Sequence, residues 1–130
     1  MDASYEQQCL TLLVAVSSQR PIEFAHASDR LKSSAFSLLD GLAETAADCP
    51  ATSISITGHT DSSGDERSNL ILSKARAQSV VAYLVARGIA ADRLRPFGAG
   101  SSLPLVEESS VLARARNRRI EFDFSFPARE

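Results

Sequence analysis

The stretch from Thr57 to Arg76 constrains this chain more than any other, because it is polar and sits between two periodic runs. Before it, Ser53-Ile54-Ser55-Ile56 alternates polar and apolar, as a half-buried strand does. After it, residues from about 69 to 87 carry the apolar spacing of an amphipathic helix. Asp61 therefore lies just past the end of a strand, and Gly64 lets the loop turn. Asn69 and Arg76 are seven positions apart on one helix. At about 100° per residue they point the same way, one above the other. An acid on the incoming loop, an amide and a guanidinium can thus line one cleft. Such a cleft suits a ligand that carries both an ammonium and a carboxylate.

The rest of the chain reads as scaffold. Residues 1–4 are expected to fray. Cys9, Leu12/Leu13 and Val16 recur at helical spacing, which predicts a short helix over 5–16. Pro21 to Phe24 reads as a first strand, with proline at its start where no ladder donor is lost. Residues 33–47 predict a helix with Phe36, Leu39, Leu42 and Ala46 on one stripe, capped by Ser33 or Ser34 and stopped by Pro50. Gly41 inside it costs up to about 1 kcal/mol against alanine, and close helix–sheet packing is one reason that would account for it. Ala77, Val80, Val81 and Leu84 form the inward stripe of the helix over 69–87, with Gly88 as its C-cap. A third strand covers 93–97, a loop 98–110, and a short helix 111–117. The last strand, 119–126, alternates Ile120, Phe122, Phe124 and Phe126 with Glu121, Asp123 and Ser125, as in a sheet covered on one side. Helices between parallel strands place both crossovers on one face. The expected fold is a two-layer α+β domain: a mixed four-stranded sheet with helices packed on one face, order βαβαβ-(α)-β behind an extra N-terminal helix.

The central stretch also resembles a family. His59-Thr60-Asp61, Gly64, Asn69, Leu72-Ser73 and Arg76-Ala77 match, at their spacings, the signature of OmpA-like peptidoglycan-binding domains. The tail Asn117-Arg118-Arg119-Ile120-Glu121 matches the family's Asn-Arg-Arg-hydrophobic-Glu ending. The resemblance covers roughly residues 20 to 126. It implies a domain over 20–127, preceded by a packed helix and connector (1–19) and followed by a tail (128–130). It implies a non-catalytic role: recognition of meso-diaminopimelate in the peptidoglycan stem peptide, anchoring an envelope protein to the cell wall. In the family the positions of Asp61 and Arg76 answer the ligand's ammonium and carboxylate. The position of Asn69 adds a hydrogen bond, and Thr60, Ser62 and Ser63 lie on the contacting loop. His59, Arg118 and Arg119 are expected to support the pocket: His59 by orienting the strand end, the arginines by bracing loops or pairing with acids. A protein fused or tethered to an outer-membrane partner, in the periplasm, is the setting the resemblance implies. The alternative is a protein-interaction module of the same fold, without wall binding, in a secretion, motor or signalling assembly.

Cys9 and Cys49 read either as two free buried thiols or as a disulfide. Their places near helix ends, and the cysteine pair that some OmpA-like domains carry at similar places, favour the bond and an oxidising compartment. Three departures from the family pattern stand out: Glu108 where an asparagine is frequent, Ala113 where a glycine is, and a first loop, Ala25-His26-Ala27, poor in polar side chains.

Other functions are disfavoured residue by residue. A net charge of −2, from 14 basic and 16 acidic residues, gives no support for nucleic-acid binding. The apolar run Leu10 to Val16 is too short to span a membrane and lacks a signal peptide's basic start and cleavage site. If the protein is exported, its targeting segment is expected outside this sequence. His26 and His59 form no pair at metal-ligand spacing, so no metal is expected. Gly98-Ala99-Gly100 opens like a dinucleotide fingerprint, but Leu103 and Pro104 stand where glycine and a helix start belong. No cofactor is expected. A serine hydrolase lacks its nucleophile elbow. Alone, Asp61 would be an ordinary loop aspartate and Arg76 a solvated helix charge; their spacing together is what argues for a site.

Overall fold

A computed structural model of the protein describes residues 3–127. Of the four residues expected to fray, Met1 and Asp2 lie outside that range, and Ala3 and Ser4 are helical; the expected tail, 128–130, also lies outside it. Helix α1 (Ala3–Ser17) buries a narrow stripe, Cys9 and Leu13, with Val16 half-buried beside them. It packs on α2 (Phe36–Ala47), which follows one 3-10 turn, Ser33–Ala35. Strand β1 (Ser53–His59) leads into α3 (Glu66–Ala86); a second 3-10 turn, Ala91–Arg93, leads into β2 (Leu94–Gly100). Helix α4 (Val111–Asn117) precedes β3 (Arg119–Ser125).

The two-layer α+β architecture is as expected, but the sheet among the described residues has three strands, in the order β2-β1-β3. β1 pairs parallel with β2 and antiparallel with β3. The expected first strand, Pro21 to Phe24, forms only one bridge, Phe24 with Leu31. Its backbone turns back on itself instead: Lys32 N–H donates to the Glu23 carbonyl at 2.9 Å and Ala25 N–H to the Arg30 carbonyl at 2.8 Å. Pro21 has no N–H to offer a neighbour, and Ile22, buried at 5% exposure, still anchors the segment to the core.

Ile54 and Ile56 of β1 are fully buried with Leu38, Leu39, Leu42, Val80 and Leu84 of the helices. Phe122 and Phe124 keep the expected alternation but are only half-buried, because β3 is an edge with β1 as its neighbour on one side. Phe36 is not part of the buried stripe; it is 38% exposed and stacks on the Tyr83 ring at 5.2 Å. Neither Ser33 nor Ser34 caps α2: no side chain caps that end, and the Ser34 hydroxyl donates to Glu23 at 3.2 Å. At its other end, Arg93 donates to the carbonyls of Ala46, Cys49 and Thr52 at 2.8–2.9 Å, gathering the turn that leads from α2 into β1. Cys9 and Cys49 form a disulfide with Cα atoms 5.9 Å apart.

Candidate functional site

Two glycines decide where α3 sits. Gly58 of β1 and Gly98 of β2 are register partners on the helix-covered face. A Cβ on Gly58 would lie 2.2 Å from the Ser73 carbonyl oxygen; one on Gly98 would lie 2.6 Å from the Lys74 nitrogen. The helix backbone rests directly on the two strands where they have no side chains. Ser73 is fully buried there, and its hydroxyl accepts the Gly100 N–H at 3.0 Å. Thr60 N–H donates to the Gly100 carbonyl at 2.8 Å. The first turns of α3 are thereby pressed over the loop that leaves β1.

That loop begins α3 earlier than the apolar period suggests. Asp65 is the N-cap, its carboxylate accepting the Ser68 N–H at 3.0 Å, so the helix starts at Glu66 rather than near Asn69. Asn69 then reaches down to the loop. Its Nδ2 donates to the Ser63 carbonyl at 3.0 Å and more weakly to the Asp61 carbonyl at 3.4 Å.

Asp61 is 8% exposed. One carboxylate oxygen accepts the Ser63 N–H at 2.8 Å, and the other pairs with Arg118 at 2.5 Å. Burial works to raise its pKa, but the hydrogen bonds from Arg118 and Ser63 outweigh it and hold the carboxyl below its ordinary value.

Arg76 is 9% exposed. Its Nε donates to the Ser28 carbonyl at 2.8 Å, and the guanidinium lies over the Phe24 ring, 5.0 Å from its centroid. Both Nη groups are without a hydrogen bond among the described residues. Burial and the nearby Arg118 charge lower its pKa, with Asp29 and Asp61 opposing; a guanidinium remains ionised throughout. An open groove of about 450 Å³ runs beside it, between Ala27, Ser28 and Asp29 on one wall and Ser68, Ile71, Leu72 and Ala75 of α3 on the other.

The supporting residues form a second layer. His59, buried at 2% exposure, shares a 2.8 Å hydrogen bond through Nε2 with Glu121, and so ties the end of β1 to β3. Burial and the Arg119 charge lower its pKa, against Glu121. Arg119 donates to Glu121 at 3.0 Å and to the Leu103 carbonyl at 3.0 Å, bracing the 101–110 loop.

The structure therefore brings Asp61, Asn69, Arg76 and Arg118 to one place, but uses some of them differently from the expectation. The Asn69 amide donors are spent on the loop backbone. The Ser63 N–H is spent on Asp61. Ser62 gives both its N–H, at 3.0 Å, and its hydroxyl, at 2.6 Å, to Glu108. The Thr60 hydroxyl is buried without a partner. Two residues were missed as site builders. Asn117, fully buried, accepts the N–H groups of Leu105 and Val106 and donates to the Val106 carbonyl and to Glu108. Glu108 appears in the sequence only as a departure from a pattern; its partner at position 62 lies 46 residues away, so no local spacing could pair them.

Comparison with known proteins places this geometry. The model of the OmpA family matches residues 23–118, and the chain belongs to that family. It is 38% identical over 101 residues to the peptidoglycan-binding protein ArfA of Mycobacterium tuberculosis, covering 78% of this chain and 31% of the relative. It is 41% identical over 93 residues to outer membrane protein A of Bordetella avium, covering 72% of this chain and 48% of the relative. The chain thus spans a third to a half of the length of these relatives. The solved C-terminal domain of Helicobacter pylori MotB superposes with a TM-score of 0.75 at 26% identity, covering 84% of this chain and 86% of that one. Among the described residues no helix is long and apolar enough to cross a membrane, and no group of three or more histidines, cysteines or acids could hold a metal ion.

Proposed function

We propose that this chain binds peptidoglycan without catalysis, through the meso-diaminopimelate residue of the stem peptide, and so anchors an envelope protein to the cell wall. The observation that carries the reading is the buried Arg76, with both Nη groups unpaired among the described residues, beside the ionised Asp61. A guanidinium in that state is satisfied by a carboxylate that takes two parallel hydrogen bonds. The free end of diaminopimelate supplies that carboxylate together with an ammonium for Asp61. Asn69, Ser62 and Ser63 then act by shaping the loop that presents Asp61, and Thr60 by joining it to β2. Membership of the OmpA family and the likeness to the peptidoglycan-binding protein ArfA support peptidoglycan as the ligand. The periplasm and a link to an outer-membrane protein are part of this proposal.

One observation favours the alternative of a protein-interaction module: Asp61 is already paired with Arg118. Retention on purified diaminopimelate-type sacculi separates the two. Wild-type protein should pellet with the sacculi and Arg76→Ala should stay in solution while melting as a folded protein, with a loss of binding of order 2–5 kcal/mol. Equal retention of both would exclude the assignment.

A further inference from the structure

We propose that Glu108 is a specificity-determining residue of this site, supplying the negative charge that draws the ligand's ammonium. The inference rests on the wall-binding reading above and names a residue which that reading does not use.

Charge pairing separates the two acids, Asp61 and Glu108. Asp61 faces the site with Arg118 against one of its oxygens at 2.5 Å. An ammonium that approaches Asp61 shares it with the Arg118 guanidinium. Arg76 is also within reach of the Arg118 charge. Asp29 also acts on Arg76, so two acids and two guanidiniums stand near one another there. Among the described residues Glu108 differs from Asp61 in forming no ion pair: its partners are the Ser62 N–H and hydroxyl and the Asn117 amide.

Its place is fixed by geometry. Consecutive backbone amides of one loop serve the two acids: the Ser62 N–H donates to Glu108 and the Ser63 N–H to Asp61. The Ser62 hydroxyl and Asn117 Nδ2 complete the hold on Glu108, at 2.6 and 3.0 Å. Hydrogen bonds from Ser62 and Asn117 keep its carboxyl below the ordinary range, although the Asp61 charge pushes the other way. The Asp61 charge reaches Glu108, and the adjacent amides of Ser62 and Ser63 hold the two acids side by side at one loop. Buried Asn117 in turn holds the backbone of residues 105 and 106, so Glu108 is carried on a braced loop rather than on a free one.

Calorimetric titration of the whole chain tests this with two matched diaminopimelate tripeptides, one with the side-chain amine free and one with it acetylated. Glu108→Gln keeps the shape and an acceptor for Ser62 but removes the charge. It should bind the free-amine peptide about tenfold more weakly than wild type, the size of one lost charged interaction. With the acetylated peptide, Glu108→Gln and wild type should bind alike. Glu108→Asn, which places at this position the residue frequent in the family, should follow Glu108→Gln. Equal affinity of wild type and Glu108→Gln for the free-amine peptide overturns the proposal. So does an equal loss with both peptides, which would make Glu108 a shaper of the loop and nothing more. A wild-type chain that binds neither peptide overturns the wall-binding reading, and this inference with it.

Discussion

A buried acid and a buried guanidinium meet in this site, and the residues around them decide what each can do. Asp61 would titrate high if burial acted alone; Arg118 and Ser63 reverse that. The sign of the consequence is definite. A carboxyl whose folded pKa is lowered stays ionised as pH falls through the ordinary range, and loses its charge only below it. Wall retention of the wild type should therefore persist at mildly acid pH. Arg118→Gln leaves burial less opposed, so the Asp61 pKa rises and retention should fail at a higher pH than in the wild type. A series of sacculus pull-downs across pH checks this; coincident curves would remove Arg118 from the account. That Asp61 and Arg76 come near one another was legible, because both lie on one strand-loop-helix unit with fixed spacing; that Arg118 is the partner of Asp61 was not. Nor was the use of Ser62, since it depends on Glu108 arriving from 46 residues further on, and Asn69 and Ser63 turn their donors onto the loop itself, which spacing alone does not show.

Elements carry the site by close approach. Gly58 and Gly98 let α3 lie on the strands, and no substitute with a Cβ fits: at Gly58 it would sit 2.2 Å from a carbonyl oxygen of the helix. Gly58→Ala should be strongly destabilising and should impair binding, because the helix must lift away from the loop it positions. Gly41 is the contrasting case. The expected close helix–sheet packing is absent; the nearest atom to an added Cβ is Val16 Cγ1 of α1, at an ordinary 3.6 Å. Gly41→Ala should stabilise by up to about 1 kcal/mol, the helix-propensity difference. Thermal melts of the two variants should move in opposite directions. Helix and strand periods in the sequence located α1, α2, α3, β1 and β3 well. They failed at Pro21 to Phe24, where an apolar, extended segment looks the same whether its backbone pairs with a sheet or with its own returning loop. They also placed the start of α3 too late, because the Asp65 cap carries no apolar signal.

The whole molecule separates stability from function along β1. The strand runs from Ser53, close after Cys49, to His59, next to the site. Seven residues at about 3.3 Å each put roughly 20 Å between the disulfide and the loop that carries Asp61. The bond spans 40 residues of sequence and ties α1 to the end of α2, where Arg93 also holds the following turn. In the chain-entropy view its removal costs about 4 kcal/mol. The Cys9→Ala/Cys49→Ala double variant should unfold at clearly lower denaturant while binding sacculi as the wild type does at 25 °C. Weakened binding by a still-folded double variant would mean that the two ends of the sheet are coupled.

Calorimetry with three matched stem peptides, carrying diaminopimelate, its amidated form or lysine, tests whether Arg76 clamps a second carboxylate on the wall peptide. The lysine peptide keeps the ammonium but lacks the carboxylate, leaving the Arg76 Nη donors unpaired, and sites of this kind reject such analogues. The account predicts that the diaminopimelate peptide binds at least about tenfold more tightly than the lysine peptide, a difference of about 1.4 kcal/mol or more, with the amidated peptide also weakened. Equal affinity for all three would contradict it.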